Sequence, residues 1–237
     1  LFFSGSVLMR SAGCIVNDIV DKDMDKKVHR TKNRPLACGL ISIKLALVYT
    51  AIFCAVSFLI LIQFNLLTII LGVASMVLAF SYPFMKRITY WPQFFLGLTF
   101  NWGMVMAWTA MTNSISIDII ILYVAAIFWT LGYDTIYGVQ DIVDDEIIGV
   151  KSTSIKFKKN IKLFVSICYF LSAILITCLF HGQLGLNNFT ILVIIFMLSL
   201  VYQVIKFKKN DPKKCLESFR LNNFSGSLLF FGIFLIN

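Results

Sequence analysis

Charge is scarce in this chain. Only 14% of its 237 residues are charged, and 59% are hydrophobic. A soluble domain carries about 25% charged and about 45–50% apolar residues. So large an apolar excess has no polar surface to sit behind in water, which excludes an ordinary soluble fold. Paired cysteines are also lacking. The six cysteines, at 14, 38, 54, 168, 178 and 215, show no CxxC spacing, so neither a zinc site nor a disulfide framework is indicated. They read as small buried apolar side chains. Histidine is nearly absent: His29 and His181 stand far apart, on opposite expected sides of a membrane, and neither reads as a metal ligand. An initiator methionine and a targeting segment are missing too, because the chain opens in "LFFSGSVLMRSAGC". That start reads as a point inside a longer protein.

What is abundant is apolar sequence in runs close to the roughly 20 residues that a helix needs to cross the hydrocarbon core. Eight runs stand at about 1–16, 43–62, 65–84, 92–111, 117–138, 162–180, 188–205 and 222–237. The expected fold class is therefore all-α, a polytopic bundle of membrane helices, with residues 1–237 forming a single domain. The formal charge of +9 raises the possibility of nucleic acid, and its distribution excludes it. Of 21 Lys and Arg, all but Arg10 fall in 22–44, 86–87, 151–162 and 206–220. The alternate connections near 63–65, 111–118 and 181–188 carry none. This is the positive-inside pattern. It places the connections after the first, third, fifth and seventh runs on the cytoplasmic or matrix side.

Acid is more concentrated still. Nine of the 12 carboxylates lie in two short stretches, Asp18, Asp21, Asp23 and Asp25 in one and Asp134, Asp141, Asp144, Asp145 and Glu146 in the other. Both stretches follow an apolar run on the same side, the first and the fifth. Asp18, Asp21 and Asp25 are spaced i, i+3, i+7, which is one face of a helix and leaves Asp23 off it. Asp134, Asp141 and Asp145 share a face in the same way, with Tyr137 between them. Like carboxylates one turn apart repel, and a charged face continuing a membrane helix is costly unless it lines a cavity or binds something. A divalent cation relieves both difficulties, and oxygen-only ligands suit Mg²⁺ bridged to substrate phosphates. A basic run follows each acidic stretch: Lys26, Lys27, Arg30, Lys32 and Arg34, then Lys151, Lys156, Lys158 and Lys159. Two acidic patches holding Mg²⁺ beside Arg and Lys describe a diphosphate site. In so apolar a protein, the diphosphate points to an isoprenoid substrate.

The same residues carry a resemblance. "NDIVDKDMD", Asn17 to Asp25, is similar to the NDxxDxxxD motif of the UbiA superfamily of intramembrane prenyltransferases, and "DIVDD" supplies its DxxxD motif as Asp141 and Asp145. The flanking strings "RSAGCIVNDIVDKDMDKKVHRTKNRPLACGLIS", "YPFMKRITYWPQFFLGLTFNWG" and "WTLGYDTIYGVQDIVDDEIIGVKSTSIKF" resemble the 4-hydroxybenzoate polyprenyltransferase branch, and are more specific than the Asp motifs. The likeness runs from about residue 4 to the end.

The resemblance implies nine transmembrane helices around a central cavity, with the first of them absent here and the two Asp motifs facing each other on the second and sixth. It implies Asp18, Asp21, Asp25, Asp141 and Asp145 as Mg²⁺ ligands, with Asn17 completing the first motif. Asp21, Asp25, Asp141, Asp145 and Asp134 become the catalytic set. Arg34 and Lys151 are implied to hold diphosphate oxygens. Asp134 and Tyr137 would orient an aromatic acceptor or accept a proton. Arg10, the one cation inside a run, is a candidate partner for the acceptor's carboxylate, with Lys86 and Arg87 as rivals. The implied reaction moves a polyprenyl group from its diphosphate to the ring carbon of 4-hydroxybenzoate ortho to the hydroxyl. It would serve ubiquinone biosynthesis in a bacterial or mitochondrial inner membrane.

Other readings remain open on the sequence. Another UbiA-type enzyme would take a naphthoate, homogentisate or haem acceptor. A cation-coupled transporter would place acid near mid-membrane on broken helices, whereas here it stands at one end with basic partners. A phosphotransferase of the CDP-alcohol type would need a DGxxAR start, which is not present.

Overall fold

The computed structural model describes residues 1–28 and 31–236. His29 and Arg30, the latter a member of the first basic run, lie outside the described residues, as does Asn237. The described chain is helical throughout, without strands. Eight long helices occupy the eight apolar runs: α1 (Phe2–Asp25), α2 (Ile43–Leu61), α3 (Leu66–Ile88), α4 (Pro92–Thr112), α5 (Ile117–Gly138), α8 (Ile161–Leu179), α9 (Asn188–Lys206) and α10 (Pro212–Phe234). Two short helices, α6 (Ile142–Ile148) and α7 (Thr153–Lys156), sit between α5 and α8.

The starts of these helices follow from side chains that satisfy otherwise unpaired N–H groups. Ser42 accepts from Leu45 N ahead of α2, Asn65 from Thr68 N ahead of α3, Ser116 from Ile119 N ahead of α5, and Asn187 from Thr190 N ahead of α9. Pro92 opens α4 and Pro212 opens α10, where a missing N–H costs nothing.

Two boundaries differ from the apolar runs. The first helix does not stop near 16 but continues to Asp25, so the first acidic stretch is itself helical. The last helix starts at Pro212 rather than 222, because Asp211 caps it by accepting from Lys213 N and Lys214 N. Hydropathy ends a segment where polarity begins; the helix ends where its hydrogen bonds do. For the same reason six helices among the described residues are long and apolar enough to cross a membrane, while polar and charged turns dilute α1 and α10.

α5 is the centre of the bundle. It packs against α4, α8 and α10, and 44% of its apolar stretch is buried, against 17% for α2, α3 and α4. α1 packs on α2 and α3, and α9 on α10 and α8. Elsewhere the exterior is apolar: Phe3, Val77, Ile205 and Phe234 are each about two-thirds exposed or more, as suits side chains facing lipid. Inside, polar pairs join helices. Tyr169 OH donates to Gln203 Oε1 at 2.6 Å, Gln203 Nε2 donates to Ser225 Oγ at 3.0 Å, and Trp129 Nε1 donates to Asn222 Oδ1 at 2.8 Å. Such bonds across helices are worth about 0.6–2 kcal/mol each where water is absent.

The α5–α8 seam depends on a missing side chain. A Cβ at Gly132 would lie 2.4 Å from the Tyr169 ring, which is buried and tied to Gln203. Overpacking of this kind costs about 1–3 kcal/mol. Gly132→Ala is therefore expected to lower the thermal unfolding temperature in detergent. An unchanged melting curve would show that the seam has slack.

Candidate active site

The last turns of α1 carry the first acidic stretch into the protein. Asn17, Asp21 and Asp25 line a cavity of about 210 Å³. Asp21 is 1% exposed and Asp25 7%. Asp18 stands beside the cavity, half-buried. Asp23 points away with its side chain 88% exposed and paired to Lys26 at 3.0 Å; that neighbouring ammonium holds its carboxyl below the usual range.

The described residues after α1 form tight turns. Thr31 Oγ1 donates to the Asp25 carbonyl at 3.1 Å, and Arg34 N donates to Thr31 O at 2.9 Å. These turns aim Arg34 at the acidic face, where its Nη1 lies 2.9 Å from Asp18 Oδ1 and 3.0 Å from Asp25 Oδ2. From the end of α3, Lys86 Nζ pairs with Asp21 Oδ2. Arg87 Nη2 donates to Val20 O at 2.6 Å and stands 3.9 Å from Asp21 Oδ1. Asp21 Oδ1 is buried and has no hydrogen bond among the described residues.

The opposite wall comes from α5 and the segment after it. Asp134, Tyr137, Asp141 and Asp145 all line the same cavity. They do not share one continuous helix: α5 ends at Gly138, Val139–Asp141 forms a 3₁₀ turn, and α6 then begins. Gly138 allows the close approach this requires, since a Cβ there would lie 2.6 Å from Ser154 Oγ. α6 ends at Gly149 in the left-handed region, with φ 75°, a conformation that glycine adopts without strain. The chain then turns back to the cavity. Lys151 N donates to Lys86 O at 2.8 Å, and Lys151 Nζ donates to Ile88 O at 3.1 Å. Lys151 also lines the cavity.

Of the residues singled out by sequence, the cavity thus gathers Asn17, Asp21, Asp25, Arg34, Lys86, Asp134, Tyr137, Asp141, Asp145 and Lys151. Three stand outside its lining. Asp18 is held at its edge by Arg34, Arg87 lies behind Asp21, and Arg10 is exposed with its guanidinium 5.2 Å from the centre of the Phe100 ring. Charge pattern missed Tyr82, Gln93 and Ser152, which also line the cavity. They are neutral. The only signal for Gln93 was a polar side chain directly after the proline that opens an apolar run.

The donor set suits Mg²⁺ in its chemistry. Every acidic group is an oxygen ligand, and Asp21 Oδ1 is a buried carboxylate oxygen without a hydrogen bond. Among the described residues no three Asp, Glu, His or Cys side chains converge on one point. That matches an ion held by one or two carboxylates with water and substrate phosphate making up the rest, as Mg²⁺ usually is, rather than a closed all-protein cage.

The chain is 42% identical over 236 residues to the 4-hydroxybenzoate octaprenyltransferase of Vibrio atlanticus, covering 99% of this chain and 83% of that protein. It is 40% identical over 239 residues to the mitochondrial 4-hydroxybenzoate polyprenyltransferase of Drosophila pseudoobscura pseudoobscura, but spans only 59% of that protein's length. In fold it is similar to a UbiA homolog from Aeropyrum pernix, with a TM-score of 0.84 at 25% identity over 99% of this chain and 87% of the other. A UbiA homolog from Archaeoglobus fulgidus bound to GPP and Mg²⁺ shares the fold, with a TM-score of 0.71 at 20% identity over 98% and 88% of the two chains. The family model for UbiA prenyltransferases matches residues 1–229, and with the two Asp motifs facing one cavity, the chain belongs to the UbiA prenyltransferase family.

Proposed function

We propose that this chain transfers a polyprenyl group from polyprenyl diphosphate to 4-hydroxybenzoate, at the ring carbon ortho to the hydroxyl and meta to the carboxylate, releasing diphosphate, in ubiquinone biosynthesis. The observation that carries the reading is one cavity lined by both acidic stretches together with Arg34, Lys86 and Lys151. The names of relatives about 40% identical over nearly the whole chain supply the acceptor, and an A. fulgidus homolog bound to GPP and Mg²⁺ supports the metal.

In this reading Asp18, Asp21 and Asp25 hold metal on one side and Asp141 and Asp145 on the other, with Asn17 beside the first group. Bound Mg²⁺ supplies Lewis-acid stabilisation of the leaving diphosphate. The remaining work belongs to the protein. Lys86 and Arg34 now sit on Asp21, Asp18 and Asp25. With metal on the carboxylates, Lys86 and Arg34 would be free to hold the diphosphate oxygens together with Lys151, and would stabilise the charge that develops on the leaving group. The prenyl tail lies among apolar walls, which keep water from the allylic carbocation. Asp134 and Tyr137 orient the acceptor ring. The phenol oxygen feeds electron density to the ortho carbon, that carbon takes the cation, and Asp134 accepts the ring proton. Arg10 and Arg87 lie outside the cavity lining and are the weaker partners for the acceptor carboxylate, and Lys86 lines the cavity. The whole of 1–237 acts as one domain in a bacterial or mitochondrial inner membrane, with the site on the cytoplasmic or matrix side.

Membranes containing the protein, supplied with a polyprenyl diphosphate, Mg²⁺ and a panel of aromatic acids, test the reading. Prenylated 4-hydroxybenzoate is the expected main product. A main product from a naphthoate or from homogentisate would replace the acceptor while leaving the diphosphate chemistry in place.

A further inference from the structure

A knot of buried polar groups lies where α4, α5 and α7 meet. Thr135, Thr153 and Ser154 are fully buried, and Ser152 is 4% and Gln93 7% exposed. Nearly all of its hydrogen-bonding capacity is used inside. Thr135 Oγ1 and Thr153 Oγ1 are 2.7 Å apart, Ser154 Oγ donates to Thr135 O at 2.8 Å, and Ser152 Oγ accepts from Ile155 N at 3.2 Å. Gln93 joins through one end of its amide only: Oε1 accepts from Thr153 N at 2.9 Å. A backbone N–H can only donate, so this bond fixes which end of the amide is oxygen. The –NH₂ is therefore turned the other way. It has no hydrogen bond among the described residues, it lies 3.4 Å from where a Cβ on Gly138 would stand, and both Gln93 and Gly138 line the cavity. Nε2 is not among the buried atoms left without a partner, so it opens onto the cavity, where a donor held in a fixed direction can bind a ligand oxygen in place of water.

We infer that Gln93 is a substrate-positioning residue whose Nε2 donates a hydrogen bond to an anionic substrate oxygen in the cavity. Two oxygens have the right chemistry, those of the diphosphate and those of the aromatic carboxylate. The inference rests on the reading of this cavity as a prenyl-transfer site. Unlike Lys86 or Arg34, Gln93 brings no charge and forms no ion pair with the carboxylates, and its Oε1 is anchored on Thr153 N.

Gln93→Glu separates this role from a structural one. Glutamate keeps an oxygen in place for Thr153 N–H and replaces the donor by an acceptor. Gln93→Met, of similar length, removes both bonds. Each purified variant is titrated calorimetrically with inorganic diphosphate plus Mg²⁺ and, separately, with 4-hydroxybenzoate, and thermal unfolding is recorded in parallel. The expected result is a loss of at least tenfold in affinity for one ligand and little change for the other, in both variants; the ligand affected names the oxygen. Wild-type affinity for both ligands in either variant overturns the inference. So does equal weakening of both in step with a lowered unfolding temperature, which is what a purely structural Gln93 produces. If wild-type protein binds both ligands but forms no prenylated acid, the reaction assignment fails while the Gln93 result stands by itself.

Discussion

Asp21→Ala and Asp141→Ala are each expected to lower the rate of prenyl transfer by about 10²–10³-fold, the scale seen when one group stabilising a developing charge is removed. Asp23→Ala, from the same acidic stretch, is expected to leave the rate near wild type. The contrast follows from placement. Asp21 is buried in the cavity wall with one oxygen on Lys86 and the other without a hydrogen bond, and Asp141 reaches the same cavity from the 3₁₀ turn after α5. Asp23 is two residues from Asp21, yet its side chain is in solvent and bound to Lys26. Initial rates at saturating substrate and Mg²⁺, normalised to the amount of folded protein, measure all three. Because Asp21→Ala also strands Lys86, Asp21→Asn serves as a control that keeps volume and a hydrogen-bonding oxygen while weakening metal ligation. Equal losses for Asp23→Ala and Asp21→Ala would mean that net acidity near the membrane, rather than a directed ligand set, supports the reaction.

Much of this site could be read from spacing because α1 is a regular helix through the acidic stretch. With i, i+3, i+7 fixed by 3.6 residues per turn, Asp18, Asp21 and Asp25 had to share a side and Asp23 had to leave it; Asp21 and Asp25 line the cavity, Asp18 stands at its edge on Arg34, and Asp23 is in solvent. The second stretch obeyed the same count for a less simple reason. Asp134 and Asp145 lie on different helices, and the 3₁₀ turn at Val139–Asp141 happens to keep them on one side. Nothing in the hydropathy marks that break; it depends on Gly138 meeting Ser154 from a helix that is not its neighbour in sequence. Gln93 was illegible for a related reason, since its meaning lies in a bond to Thr153, 60 residues away. The helix starts at Pro212 and the helix end at Asp25 were lost because apolarity is a signal of the bilayer, not of the helix. Arg10, a lone cation in an apolar run and a rival of Lys86 and Arg87 for the acceptor carboxylate, stands outside the cavity lining, exposed and 5.2 Å from the centre of the Phe100 ring.

The cations of the site carry the second large effect, and it is one of stability. Lys86→Met is expected to destabilise the metal-free protein by about 3 kcal/mol, because removing one member of a buried ion pair leaves the other charge uncompensated. Asp21 has a side chain only 2% exposed, and its remaining cation, Arg87, is 3.9 Å away, too far for a hydrogen bond and able to offset only part of the loss. Millimolar Mg²⁺ is then expected to raise the unfolding temperature of Lys86→Met more than that of wild type. A ligand that binds only the folded state stabilises it by RT ln(1 + [L]/Kd), and in wild type the ion must first displace Lys86 from the oxygen it seeks. Thermal unfolding in detergent, with chelator and with Mg²⁺, reads both effects without any turnover. Methionine keeps the length and packing of the lysine stem, so the comparison isolates the charge. A Mg²⁺ shift equal in the two proteins would show that Lys86 and the metal do not share Asp21, and that the cation faces the diphosphate from the outset.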